Sequence, residues 1–107
     1  MTKVRYAVFD SYPDADEALE EKEVDIAVVE WKPWEDILEG KGFCHLHVLP
    51  QLVEQVSSIS EIQVLLASES KFTAFICNGM SAEETLKLLE EYFDIEDLTD
   101  PELLHHL

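Results

Sequence analysis

Two histidines, His45 and His47, are the residues of this chain best suited to bind a metal ion. Residues 43–49 alternate in a way that predicts a β-strand, so both imidazoles face the same side, about 7 Å apart. An imidazole pair at that spacing can coordinate a transition metal, although Cys44 points to the opposite side. The sequence indicates no third ligand, and it therefore favours the alternative, a solvent-facing histidine pair on an edge strand.

Two carboxylates offer a second candidate for chemistry. Asp10 and Glu30 follow the apolar residues of the first two predicted strands. If those strands are parallel and adjacent, both carboxylates lie at the carboxyl edge of the sheet, where the sites of α/β proteins are usually found. Such a pair could hold Mg²⁺ or act in acid–base catalysis. The alternative is that both residues cap loops and face solvent, which is the commoner role of loop carboxylates.

Motifs of common catalytic centres are missing from the sequence. The segment Gly40-Lys41-Gly42 is too short to indicate a phosphate-binding loop, and there is no G-x-S-x-G element. No grouping of serine, cysteine and histidine has a known catalytic spacing. We therefore predict no catalytic residue and no cofactor, and a protein whose role is binding rather than catalysis.

Acidic residues dominate the composition, with 24 Asp and Glu against 7 Lys and Arg and a formal net charge of −17. This charge disfavours direct binding to nucleic acids or anionic membranes and favours basic partners. The acids concentrate in two blocks, residues 10–39 and residues 83–102, which flank a nearly neutral middle segment. A solvated acidic surface without a partner is the alternative interpretation.

A partner-binding surface is predicted where the acids coincide with helical patterns or with tryptophan. Its candidate residues are Asp16, Glu17, Glu20, Glu21, Glu23, Trp34, Glu35, Glu90 and Glu91. Length and charge resemble those of phage-encoded inhibitors of nucleases and of CRISPR effectors, which bind basic proteins through such surfaces. The first functional hypothesis is accordingly an acidic, non-enzymatic protein that mimics nucleic acid and inhibits a basic nucleic-acid-binding protein. The alternative is an α/β regulatory domain that binds a ligand or cation.

Hydrophobic periodicity and turn residues divide the chain into short elements. The predicted strands cover residues 3–10, 24–31, 43–49, 61–67 and 72–78. The predicted helices run from Ser11 to about Lys22, over 34–39, from Pro50 to the serines at 57–60, from the capping box Ser81…Glu84, and from Thr99 to the end. Residues 59–69 also fit a helix, but the serines near residue 70 favour a hairpin.

This order predicts one α/β (α+β) domain over residues 1–107, with a mixed sheet of four or five strands and helices packed on it. A ferredoxin-like core is the first choice. A small doubly wound sheet is the second, and it would gain support if residues 59–69 were helical. The two cysteines, Cys44 and Cys77, are too few for a disulfide framework and are expected to be buried free thiols. Without a recognisable signal peptide or transmembrane segment, we expect a cytoplasmic location.

Overall fold

A single mixed β-sheet organises the computed structural model, which describes residues 1–31, 43–65 and 71–99. Six strands within these residues form the sheet in the order β4-β5-β3-β2-β1-β6. Their bounds are β1 Thr2–Phe9, β2 Ile26–Trp31, β3 Phe43–Val48, β4 Gln63–Val64, β5 Thr73–Asn78 and β6 Phe93–Asp97. β1 is parallel to both of its neighbours, β2 and β6, whereas β3 is antiparallel to β2 and to β5.

The strand β2 lies inside the sheet and is buried on both faces. Ile26 and Val28 are fully buried on one face, and Ala27 and Val29 are at most 5% exposed on the other. A continuous apolar run of this kind is typical of a strand covered on both sides. β2 therefore contributes side chains to two hydrophobic cores, one on each face of the sheet.

The helix α1, Tyr12–Glu20, connects β1 to β2 and covers one face of the sheet. The Ser11 hydroxyl caps its first turn by accepting from the backbone N–H of Asp14. Its apolar stripe, Ala15, Ala18 and Leu19, is buried against the sheet. The helix stops two residues earlier than predicted because Lys22 adopts a positive φ of 58°, a backbone conformation that ends helices.

The opposite face carries two helices. α2, Val53–Ser57, follows a single 3₁₀ turn at Pro50–Leu52, and α3, Ala82–Glu90, begins at the predicted capping box of Ser81 and Glu84. Leu88 and Leu89 of α3 join the larger core, which also contains the inward side chains of the sheet. α1 and α3 thus lie on opposite sides of the sheet.

The predicted α/β class with a mixed sheet is confirmed, with six strands in the described residues instead of four or five. The strand order differs from a ferredoxin-like core, because β1 and β2 pair directly, whereas a ferredoxin-like unit is split by an intervening strand. The hairpin prediction is confirmed in its pairing of β4 with β5, although β4 is only two residues long. Helices lie on both faces, as in the doubly wound alternative.

The strand β6 was not predicted from the sequence. Phe93 fits the helical spacing of Leu86 and Leu89, but α3 ends at Glu90, and Phe93 begins a strand that pairs with β1. Thr99, expected to start a last helix, accepts a hydrogen bond from the backbone N–H of Val8. The predicted helix over 34–39 and the last residues, 100–107, lie outside the described residues.

Candidate functional site

The acidic surface predicted on the first helix occupies the end of α1 and the turn that follows it. Glu17, Glu20, Glu21 and Glu23 are all exposed, and α1 has no basic residue in its last turn. Carboxylates at this end of a helix face the negative end of the macrodipole, which favours cations instead. The chain thus holds four acids at a position where they are electrostatically unfavourable.

Crowding of these carboxylates is visible in the ionisation of Glu21. A hydrogen bond with the Glu23 side chain, together with the charges of Glu23 and Glu20, raises the pKa of Glu21 above its ordinary value. Glu20 pairs with Lys71, whose Nζ lies 2.5 Å from the Glu20 carboxylate oxygen Oε1. Both partners are well exposed, and such pairs contribute little to stability. Within the described residues, the other three glutamates have no ion pair.

Asp16 differs from these four because its carboxylate faces the sheet. Its Oδ1 lies 2.6 Å from Nδ1 of His47, whose side chain is only 4% exposed. An ionised carboxylate can only accept, so the His47 Nδ1–H is the donor. The Tyr12 ring stacks on both imidazoles, with centroids 5.3 Å from His45 and 5.7 Å from His47. Asp16 and Tyr12 therefore anchor α1 to β3.

The histidine pair shares one face, as predicted, but the expectation of a solvent-facing pair on an edge strand is wrong. β3 lies between β2 and β5, and α1 covers His47. Burial lowers the pKa of His45 below its ordinary value, and the charge of His47 lowers it further. In the part of the chain that the structure describes, no three His, Cys, Asp or Glu side chains are grouped as metal ligands.

Asp10 directly follows β1, and Glu30 is the last residue but one of β2. The two strands are parallel and adjacent, as the site hypothesis required, with Phe9 opposite Val29. Glu30, however, is engaged with α3, because one of its carboxylate oxygens lies 2.5 Å from the backbone N–H of Ala82. This contact places a negative charge at the positive end of the helix, where it is stabilising. Asp10 is exposed. The contact with the first turn of α3 therefore gives Glu30 a structural role.

The remaining predicted contact residues divide into two groups. Glu90 and Glu91 are exposed at the end of α3, on the side of the sheet opposite to α1. Trp34 and Glu35 lie outside the described residues. A flat partner surface could therefore contact the end of α1 or the end of α3, and only a partner that wraps around the sheet could contact both.

A polar cluster beneath the first turn of α3 was not predicted from the sequence. Cys44 and Cys77 are directly opposite each other on β3 and β5, and Thr85 of α3 is fully buried with them. The Tyr6 hydroxyl donates to the backbone carbonyl of Ala82 at 3.1 Å. Thr85 could have been found, because it lies three residues after Ala82 and four before Leu89 on a helical stripe. The pairing of the cysteines depends on sheet register, which the sequence does not reveal.

An open groove of about 520 Å³ lies beside the end of α1, next to Arg5 of β1, and was also unexpected. Arg5 and Lys22 line it together with Leu19, Leu49 and Phe72. The guanidinium of Arg5 is held by Asp25, with Nε–Oδ2 at 3.1 Å and Nη2–Oδ1 at 3.2 Å. Burial works to raise the pKa of Asp25, but the hydrogen bonds and charge of Arg5 outweigh it and lower that pKa.

Comparison with known protein families, with curated proteins and with solved structures finds no match to this chain. Among the described residues, no helix combines the length and apolar character that crossing a membrane requires.

Proposed function

We propose that this chain is a small, non-enzymatic protein of the cytoplasm that binds a basic protein through the exposed end of α1. The contact surface, here called the α1 acidic surface, consists of Glu17, Glu20, Glu21 and Glu23. A cytoplasmic location agrees with the two buried, free thiols of Cys44 and Cys77, since reduced cysteines are typical of reducing compartments.

The observation that carries this proposal is the placement of the acids. Four exposed glutamates gather at the end of a helix that favours cations, and the interactions of Glu21 with Glu23 and Glu20 raise its pKa. Acids needed only for solubility could be spread over the surface, where their mutual repulsion is weaker. Local departures from favourable electrostatics are expected at functional surfaces, because a partner compensates for them.

The kind of partner follows from the same charges. Clustered carboxylates attract a positively charged surface over a distance of about a Debye length and accelerate association at low salt. The phosphate-binding groove of a nucleic-acid-binding protein offers such a surface, and an acidic protein bound in it would exclude the nucleic acid. Inhibition of a nuclease or similar enzyme is the activity that this mode of binding supports.

Affinity capture from a cell lysate at low salt, followed by mass spectrometry, identifies the partner, and binding of the purified partner then tests the surface. A variant with Glu17, Glu20, Glu21 and Glu23 replaced by Gln should bind at least about tenfold more weakly, which corresponds to about 1.4 kcal/mol. The dissociation constant of the native chain should rise steeply between 50 and 300 mM salt, concentrations at which the Debye length shortens to below about 10 Å.

A matched control separates this surface from net charge. The exposed acids Glu54, Glu61, Glu83 and Asp94, replaced by their amides, give the same change of +4 in net charge away from the α1 acidic surface. This control should bind nearly as well as the native chain. Equal loss in both variants would show that only net charge matters and would remove the α1 acidic surface from the proposal. A Glu90→Gln, Glu91→Gln variant tests whether the end of α3 takes part.

The groove beside Arg5 favours a second candidate, a regulatory domain that binds a small organic anion. Arg5 and Lys22 line this groove beside apolar side chains, together with Asp25 and Glu20. Asp25 pairs with Arg5 and Glu20 pairs with Lys71, so Lys22 supplies the cation for an anionic ligand. Aromatic and aliphatic carboxylates are suitable probes because they match this mixture of charge and apolar surface. A rise in melting temperature with benzoate or octanoate that is lost in Lys22→Ala would support this function. No shift with any such probe would argue against it.

A further inference from the structure

The buried polar cluster under α3 contains two sulfur atoms that the proposed function does not use. Cys44 and Cys77 are direct neighbours across β3 and β5, both are fully buried, and both are free thiols. The Cys44 Sγ lies 3.4 Å from the backbone carbonyl of Met80, and the Met80 side chain packs against the same core. The pair is thus sealed between the sheet and the residues that lead into α3.

The third member of the cluster is a hydroxyl without a hydrogen-bond partner. Thr85 is fully buried. Among the buried side-chain oxygen and nitrogen atoms of the described residues, its Oγ1 is the one without a hydrogen-bond partner. Burial raises the pKa of both thiols, and a hydrogen bond donated by the Thr85 hydroxyl to the thiolate form works against this rise in each of them, which places the hydroxyl beside both sulfur atoms. A valine would fill this position without leaving a polar atom unsatisfied. The site therefore brings together two sulfur donors and a buried hydroxyl that can donate a hydrogen bond to a thiolate.

The donor set selects the kind of ion. No third His, Cys, Asp or Glu is grouped with the two cysteines in the described residues, so the four-ligand site of Zn²⁺ and the oxygen-rich sites of Mg²⁺ and Ca²⁺ do not fit. Thiolates select soft ions, and Cu(I) is stable with two of them in a linear arrangement. We propose that Cys44 and Cys77 form a buried two-coordinate site for a monovalent thiophilic metal ion, Cu(I), with the Thr85 hydroxyl beside the bound ion.

Binding at this site exchanges protons for metal. Two S–H bonds break, two metal–sulfur bonds form, and two protons pass to solvent, so the bound unit changes from neutral to a charge of −1. Cysteine thiols are ordinarily protonated at neutral pH, so each bound ion displaces two protons. The apparent affinity should consequently increase by up to about 100-fold for each pH unit between 6 and 8.

The same protonation disfavours the competing chemistry, a disulfide between the two cysteines. Oxidants such as peroxides react with the thiolate, and buried neutral thiols are resistant to them. The site is also independent of the α1 acidic surface, because the cysteines face the core on the other side of the sheet. The metal proposal can thus fail or succeed without affecting the proposed function.

The test is anaerobic titration of the reduced full-length chain with Cu(I), buffered by a chromophoric Cu(I) chelator, and with Ag(I) as a redox-stable analogue. We expect one ion per chain, ultraviolet absorption from thiolate-to-metal charge transfer, release of two protons, and a higher melting temperature. Cys44→Ala and Cys77→Ala should each abolish the absorption and lower the affinity by at least 100-fold. A His105→Ala, His106→Ala variant is the control and should bind as the native chain does.

Several outcomes would overturn the proposal. These are the absence of stoichiometric binding, the release of fewer than one proton per bound ion, unchanged affinity in either cysteine variant, and loss of binding in the histidine control. Because a cysteine variant could fail to fold, the native chain supplies a second measurement. Bound Ag(I) should protect both thiols from alkylation by N-ethylmaleimide in urea just below the unfolding midpoint, and unchanged alkylation rates would refute the site.

Discussion

Replacement of Thr85 by valine should stabilise the protein. Thr85 is fully buried, and its hydroxyl has no hydrogen-bond partner among the described residues. Such a group costs about 1–3 kcal/mol, because it loses its bonds to water without replacing them. Valine has nearly the same shape and helix propensity, so it removes the hydroxyl without leaving a cavity. We expect the free energy of unfolding to rise by about 1–2 kcal/mol, which corresponds to about 4–8 °C in melting temperature.

Urea denaturation of the metal-free protein measures this change. The midpoint should increase while the slope of free energy against urea remains the same, because the surface exposed on unfolding is unchanged. Two further variants isolate the hydroxyl. Thr85→Ser keeps it but removes a buried methyl group, and should be destabilised by about 1 kcal/mol. Thr73→Val changes a threonine of β5 that is only partly buried, and should change stability by less than about 0.5 kcal/mol.

Destabilisation of Thr85→Val by 1 kcal/mol or more would refute this reasoning. It would mean that the hydroxyl makes bonds to the Cys44 or Cys77 thiol that outweigh its desolvation. A stabilised variant that also binds Cu(I) more weakly would instead connect the unsatisfied oxygen to the metal site, since the native chain would then retain the hydroxyl at a cost to its stability.

The other predictions concern charges and one hydrogen bond. Asp25→Asn should lower the free energy of unfolding by about 1–3 kcal/mol at pH 7, because it breaks the charged pair with Arg5. The pKa of Asp25 is lowered in the folded state, so the difference between native and variant should be complete at neutral pH and disappear as the pH falls below about 4 in chemical denaturation. Raising NaCl from 50 to 500 mM should increase the melting temperature, since screening weakens the repulsion in a chain of charge −17, and an unchanged value in calorimetry would contradict this. Tyr6→Phe should cost about 1 kcal/mol in urea denaturation, because the Ala82 carbonyl at the start of α3 loses its donor, and no measurable change would show that water replaces the hydroxyl.

Elements with a local signal could be predicted from the sequence. The capping residues Ser11 and Ser81 locate the starts of α1 and α3, because caps satisfy backbone N–H groups within one turn. The apolar run of β2 indicates burial on both faces without reference to any other element. The shared face of His45 and His47 follows from the two-residue period of a strand. Each of these inferences depends on residues that are adjacent in the chain.

Features that depend on contacts between residues far apart in the sequence were missed or misjudged. Phe93 continues the helical spacing of Leu86 and Leu89, and the acids around Ile95 have low strand propensity, so only the pairing with β1 reveals β6. The burial of His47 was misjudged because it requires both the position of β3 inside the sheet and the carboxylate of Asp16. The same limit applies to the site under α3, where the register of β3 and β5 brings together cysteines 33 residues apart in sequence.

The α1 acidic surface allows function to be separated from solubility by two measurements on the same variant. Replacing Glu17, Glu20, Glu21 and Glu23 by Gln removes repulsion at the negative end of α1, so the variant should be more stable than the native chain whatever the acids do. If the acids bind a partner, this gain in stability is accompanied by a loss of affinity. If they only keep the protein soluble, stability rises and partner binding is unaffected. Opposite signs in the two measurements would therefore show that the unfavourable charges are retained for binding.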